Sequence, residues 1–138
     1  MKYDDAEYYF LNFETDERET SDGATHIGMF FAWNALRGLA SEEMHGGELA
    51  PVRARQITGR DFVVDQSDCK LFDEDLSPQG NAFAQWYYES RYLGDYMAVF
   101  GVSDQTADEF CSVADTWENF DRLAPVLDKR FAEWKAAH

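Results

Sequence analysis

Three histidines and a large surplus of carboxylates are the residues of this 138-residue chain whose types could do chemistry. Nucleophilic catalysis ordinarily sets a histidine beside a Ser or Cys, and the histidines here are His26, His45 and His138. The chain has no G-x-S-x-G elbow, no G-x-x-x-x-G-K loop to cradle phosphate and no H-E-x-x-H pair. His26 opens an apolar stretch and reads as a satisfied, partly buried side chain. His45 precedes Gly46-Gly47 and reads as solvent-exposed in a loop.

The carboxylates offer more material and less direction. Asp61, Asp65 and Asp68 fall at helical spacing, and Asp73, Glu74 and Asp75 follow closely. A calcium or magnesium site needs oxygens converging on one point, and the twelve-residue calcium loop needs a central glycine that no segment here supplies. Nothing selects one pair from 27 acids for acid–base hydrolysis. No catalytic residues, metal or cofactor are therefore expected. Aromatics interleaved with charge, in the run Trp86-Tyr87-Tyr88-Glu89, suit binding better, because Trp and Tyr anchor protein interfaces.

Composition narrows the class. Net charge is -15, hydrophobic residues make up 45% and aromatics 16%. Disordered chains share the charge but lack the aromatics. The longest apolar run, Ile27 to Trp33, falls well short of the ~20 residues a membrane span needs. Nucleic acid is an unsuitable partner, since its affinity rests on Lys and Arg displacing counterions. Cys69 and Cys111 are far apart and read as reduced, buried thiols. No secretion signal opens the chain, so the cytoplasm is the expected compartment. The acids come in blocks: residues 1–25 hold eight against two bases, residues 61–88 six against one, and residues 89–121 eight against one. Blocks of one sign direct a field, whereas even spacing only solubilises.

The elements that must position these groups are mostly helical. Residues 1–24 lack helical period and form an irregular acidic segment, with a polar loop from Glu14 to Gly23 and aromatics that pack on the body. Thr25 to Leu39 carries two apolar stripes, the pattern of a central buried helix. Ser41 with Glu42 and Glu43 starts a short helix, and another follows around Pro51. Thr58 with Asp61 resembles a capping box, although Phe62-Val63-Val64 also suits a strand. Ser77-Pro78 starts a further helix, which Gly94 interrupts, and Thr106 caps a short one. Asp115 with Glu118 caps the last helix, where Pro125 predicts a kink or restart. The expected fold is mainly α, one compact domain of about five to seven helices.

Several segments taken together resemble one family. They are Met1 to Ala6, Ala24-Thr25-His26-Ile27-Gly28-Met29-Phe30, Ile57-Thr58-Gly59-Arg60-Asp61-Phe62, Gly80-Asn81-Ala82-Phe83-Ala84 with Tyr87-Tyr88, and Asp115-Thr116-Trp117-Glu118-Asn119 through Arg130-Phe131 to Trp134-Lys135. The chain resembles an uncharacterised family of small acidic bacterial proteins. That family carries no established catalytic residues. The resemblance implies an immunity protein of a polymorphic-toxin or type VI secretion system. The implied partner is a cognate toxin with a basic active-site cleft, of nuclease, deaminase or NAD-degrading type, acting in the cytoplasm. The contact residues expected are Asp61, Asp65, Asp68, Asp73, Glu74 and Asp75, with Trp86 and Tyr88 as apolar anchors. The competing readings are an adaptor or regulator without a toxin partner, and a carboxylate-based metal-binding enzyme.

Overall fold

The computed structural model describes residues 1–10 and 19–138. Phe13 and most of the expected Glu14–Gly23 loop lie outside the described residues. The chain begins with strand β1 (Lys2–Asp5) and the single turn α1 (Glu7–Phe10). The expectation of an irregular opening is therefore corrected for residues 2–10. β1 pairs antiparallel with β2 (Lys70–Phe72), with Asp4 opposite Leu71 and a bulge between Lys2 and Asp4. The loss of alternation at the bulge explains why no strand period is legible there. Residues 20–24, expected as loop, form a 3-10 turn.

The centre of the molecule is α2 (Thr25–Leu36), buried from Thr25 to Ala35 on every side. It ends earlier than the sequence pattern suggested. The Arg37 and Gly38 amides still bond back into its last turn, and Gly38 takes positive φ (+74°). α3 (Glu42–His45) is capped by the Ser41 hydroxyl, which accepts from the Met44 amide, and α4 (Ala50–Arg53) holds Pro51 in its first turn. α5 (Gly59–Gln66) starts from the expected capping box: Thr58 Oγ1 accepts from the Asp61 amide and Asp61 Oδ2 from the Thr58 amide. The Phe62-Val63-Val64 run is thus helical, with Phe62 and Val63 turned inward. α5 meets α2 backbone to backbone at Gly28 and Gly59. A Cβ built on Gly59 would stand 1.8 Å from the Gly28 carbonyl oxygen.

α6 (Pro78–Tyr87) follows the Ser77 cap, passes through a π-helical stretch (Tyr88–Tyr92) and runs on as α7 (Leu93–Phe100). Gly94 lies within α7, so it does not interrupt; the irregularity is the π stretch before it. α8 (Ala107–Phe110) is capped by Thr106 as expected. The last helix, α9 (Trp117–Ala137), is capped by Thr116, whose hydroxyl accepts from the Asn119 amide. Asp115 was the expected cap. It turns inward instead, where its Oδ2 accepts from the Thr58 hydroxyl and lies 3.3 Å from Arg60 Nε. α9 continues through Pro125 as one helix. Packed rings join the helices in the core: Phe31 of α2 stacks on Phe62 of α5, and Phe131 of α9 meets Trp33 of α2 and Phe83 of α6 edge-on. Cys69 and Cys111 form no disulfide; Cys111 is buried as expected, whereas Cys69 is only half-buried.

Candidate functional site: an acidic groove beside a buried His–Asp clamp

Two distant segments build the floor of a groove. The amide of Ser41 donates to the Asp75 carbonyl and the amide of Ser77 to the Leu39 carbonyl, which pairs Ala40 with Leu76 in an antiparallel bridge. Gly80 permits this approach, because a Cβ there would stand 2.4 Å from the Leu39 carbonyl oxygen. Above the floor lies a groove of about 710 Å³. α3 and the residues before it line one side, and residues Glu74 to Asn81 line the other. Ala40 and Leu76 are buried and give an apolar base; Glu42, Glu43, Met44 and Glu74 are exposed and form the rim.

A buried His–Asp hydrogen bond clamps the walls together. His45 Nε2 sits 2.8 Å from Asp75 Oδ1, and both side chains are under 5% exposed. The Ser67 hydroxyl donates to the same carboxylate oxygen at 3.2 Å, and the Phe72 amide donates to Oδ2 at 2.8 Å. Edge-on contacts with Phe62 and Phe31 fix the imidazole plane. Each wall thus contributes one partner to a pair that is costly to break, because the group left behind would be buried without its hydrogen-bond partner. His45 was expected in a solvated loop; α3 instead turns it under the groove.

A second buried cluster joins β1 to the core. His26 Nε2 lies 2.9 Å from Asp4 Oδ2, and the Tyr88 hydroxyl donates to the same oxygen at 2.6 Å. Burial by itself would raise the Asp4 pKa, but His26, the Tyr88 hydroxyl and the Asp5 amide outweigh it and hold the carboxyl below its usual range. Tyr88 moves the other way, its phenol pushed well above the normal value by burial and by the Asp4 charge. Tyr9 and Phe110 stack on each other and pack edge-on against the His26 ring. The reading of His26 as a satisfied, buried histidine therefore holds. The trio resembles a catalytic relay in composition, yet all three members are buried beneath these rings.

The remaining expected contact residues are scattered. Asp61 and Asp65 lie exposed on the outer side of α5, where Asp61 also closes its capping box. Asp68 is exposed and pairs with Lys70 at 2.6 Å, which lowers its pKa. Asp73 accepts from the Met1 ammonium at 3.0 Å. Glu74 belongs to the groove rim. Two assignments are corrected. Asp75 is the buried half of the clamp, and Tyr88 is 3% exposed with its hydroxyl held by Asp4, so neither offers a contact surface. Trp86 is half-buried against Phe83 and lies beneath the Arg91 guanidinium. Sequence reasoning missed Glu43 and Met44 as rim residues. Their local signal, acids after a helix cap, says only that a helix starts.

The positive charge is largely committed elsewhere. Arg53 pairs with Glu42, Arg55 with Asp121, Arg60 with Asp115, Arg37 with Asp128, and Arg130 with Asp95 through two nitrogens. Among the described residues, no Lys, Arg or His pairs with Glu43, Glu74, Asp61 or Asp65. Also among the described residues, no three His, Cys, Asp or Glu side chains are placed to hold a metal ion. No helix among them is long and apolar enough to cross a membrane.

Residues 2–110 match the model of a domain of unknown function, DUF7832. The chain belongs to this family. Comparison with curated proteins and with solved structures gives no match. The match covers both groove walls, the His45–Asp75 clamp and the His26–Asp4–Tyr88 cluster, and ends at the last residue of α8.

Proposed function

We propose that this protein is an immunity protein, a non-catalytic binder that neutralises a cognate bacterial toxin acting in the cytoplasm. The observation that supports the reading best is the distribution of charge. Arg37, Arg53, Arg55, Arg60 and Arg130 are tied into internal ion pairs, while Glu43, Glu74, Asp61 and Asp65 stay exposed with no cationic partner among the described residues. Uncompensated acids on a rigid surface repel one another, and a basic partner removes that repulsion while being steered to the site. Toxins that act on nucleic acids or nucleotides present basic clefts, which suits the sign of this surface. The buried His–Asp pairs serve this reading as rigid supports, since a surface held in its bound shape loses less entropy on association.

The test is co-expression with the product of the neighbouring gene. An immunity protein is expected to restore growth to cells arrested by that product, and to co-purify with it at one-to-one stoichiometry. Growth that stays arrested despite soluble co-expression would overturn the reading.

A further inference from the structure

The groove is specific enough to name what it takes. It combines an apolar floor with two carboxylates that have no cationic partner among the described residues, Glu43 from α3 and Glu74 from the opposite wall, whereas Glu42 is already neutralised by Arg53 at 2.6 Å. Met44 lines the same groove and is 55% exposed, so a flexible apolar side chain stands on the rim beside the acids. Thioether side chains adapt their shape to an incoming group, so a methionine on a rim favours contact with an apolar neighbour of the charged group.

We propose that this groove seats one arginine of the partner protein, carried on a short segment with apolar side chains on either side of it. This deepens the immunity reading and rests on it for the identity of the partner. The guanidinium suits the site better than an ammonium. It is weakly hydrated, its planar fork can engage carboxylates on two walls, and its flat faces lie on apolar surface. The flanking apolar side chains would cover Met44, Leu76 and Pro78. The volume of about 710 Å³ accommodates one long side chain and its neighbours. The His45–Asp75 clamp joins the two backbone segments that carry Glu43 and Glu74, so the walls are in place before the partner arrives.

The probe is a blocked tripeptide, acetyl-Leu-Arg-Leu-amide, titrated into the full chain while backbone amides are followed by NMR. The expected result is saturable movement of the amides of residues 40–44 and 74–78. Binding should weaken about tenfold or more in the double variant Glu43→Gln, Glu74→Gln, the loss of one well-placed charge contact or more. The Leu-Lys-Leu analogue should bind more weakly and the Leu-Gln-Leu analogue negligibly. Glu89→Gln, an exposed acid outside the groove, should leave the affinity unchanged. Equal movement along α5, equal binding of the glutamine peptide, or no saturable binding at about 10 mM would each overturn the seat, since even weak specific contacts register there. The two proposals fail separately. If the Glu43/Glu74 variant still rescues cells from the toxin as well as the native protein does, the seat is wrong and the immunity reading stands. If the peptide saturates the groove while co-expression gives no rescue, the immunity reading is wrong and the seat stands.

Discussion

Asp4 shows how one carboxylate can hold an N-terminal strand onto a helical body. It accepts from His26 on α2, from Tyr88 at the start of the π stretch and from the Asp5 amide, which together lower its pKa against the opposing effect of burial. A carboxyl depressed in the fold stabilises it above the unfolded value, near ~3.9, and that stability disappears as pH falls through the lower folded value. Asp4→Asn should therefore cost about 3 kcal/mol at neutral pH. The difference from the native protein should shrink in denaturant titrations below pH ~4. A constant difference from pH 7 to pH 3 would mean that Asp4 acts by shape alone. The buried phenols make the complementary case. Burial raises the pKa of Tyr9, Tyr87, Tyr88, Tyr92 and Tyr96, so the fold favours their neutral forms. Their contribution is complete below the unfolded value near ~10 and is lost as pH rises beyond it. The tyrosinate absorbance of these five phenols should then rise in one cooperative step that coincides with loss of helical circular dichroism. Gradual, independent ionisation with the helices intact would contradict the burial of these rings.

At the scale of elements, the α2–α5 crossing is the tightest contact in the core. A Cβ on Gly28 would lie 2.2 Å from the Arg60 amide nitrogen, which is backbone and has little room to move. Gly28→Ala is expected to destabilise by about 3 kcal/mol or more, the upper range for overpacking. Gly94→Ala is the matching control, because a Cβ there meets nothing within 4 Å and the residue is inside α7. It should stabilise the fold by about 0.5–1 kcal/mol through chain entropy and helix propensity. Equal effects from both substitutions in chemical denaturation would rule out the backbone contact. These elements also mark what the sequence could reveal. The Ser41, Thr58, Ser77 and Thr106 caps are local signals, each a hydroxyl accepting from an amide three residues on, and each was legible. The pairing of β1 with β2 and the burial of His45 against Asp75 depend on residues 30 to 70 positions apart. No propensity or period reports such a meeting. The groove was half legible for the same reason: Glu74 stood out among the acids, whereas its opposite wall looked like an ordinary helix start. Tyr88 was misread because helical spacing gives a face but not the side of the molecule that face meets.

For the whole molecule, the decisive quantity is a net charge of -15, with five of the described arginines already paired internally. Self-repulsion among exposed carboxylates opposes the compact state and is screened by salt, whereas the apolar core is not weakened by it. Raising NaCl from ~0.05 M to ~0.5 M shortens the screening length from above 10 Å to a few ångströms. The melting temperature of the isolated protein should then climb by a few degrees, which corresponds to about 1 kcal/mol for a domain of this size. Association with a basic partner should respond in the opposite sense. The same salt should slow the association rate about tenfold or more and leave dissociation nearly unchanged, because steering acts on the encounter and not on the packed interface. Scanning calorimetry and stopped-flow association measured over one salt series would separate the two effects. If salt lowered both the melting temperature and the association rate, surface ion pairs such as Arg55–Asp121 would outweigh the unpaired acids. The field of this molecule would then hold its own fold together, with little left to attract a partner.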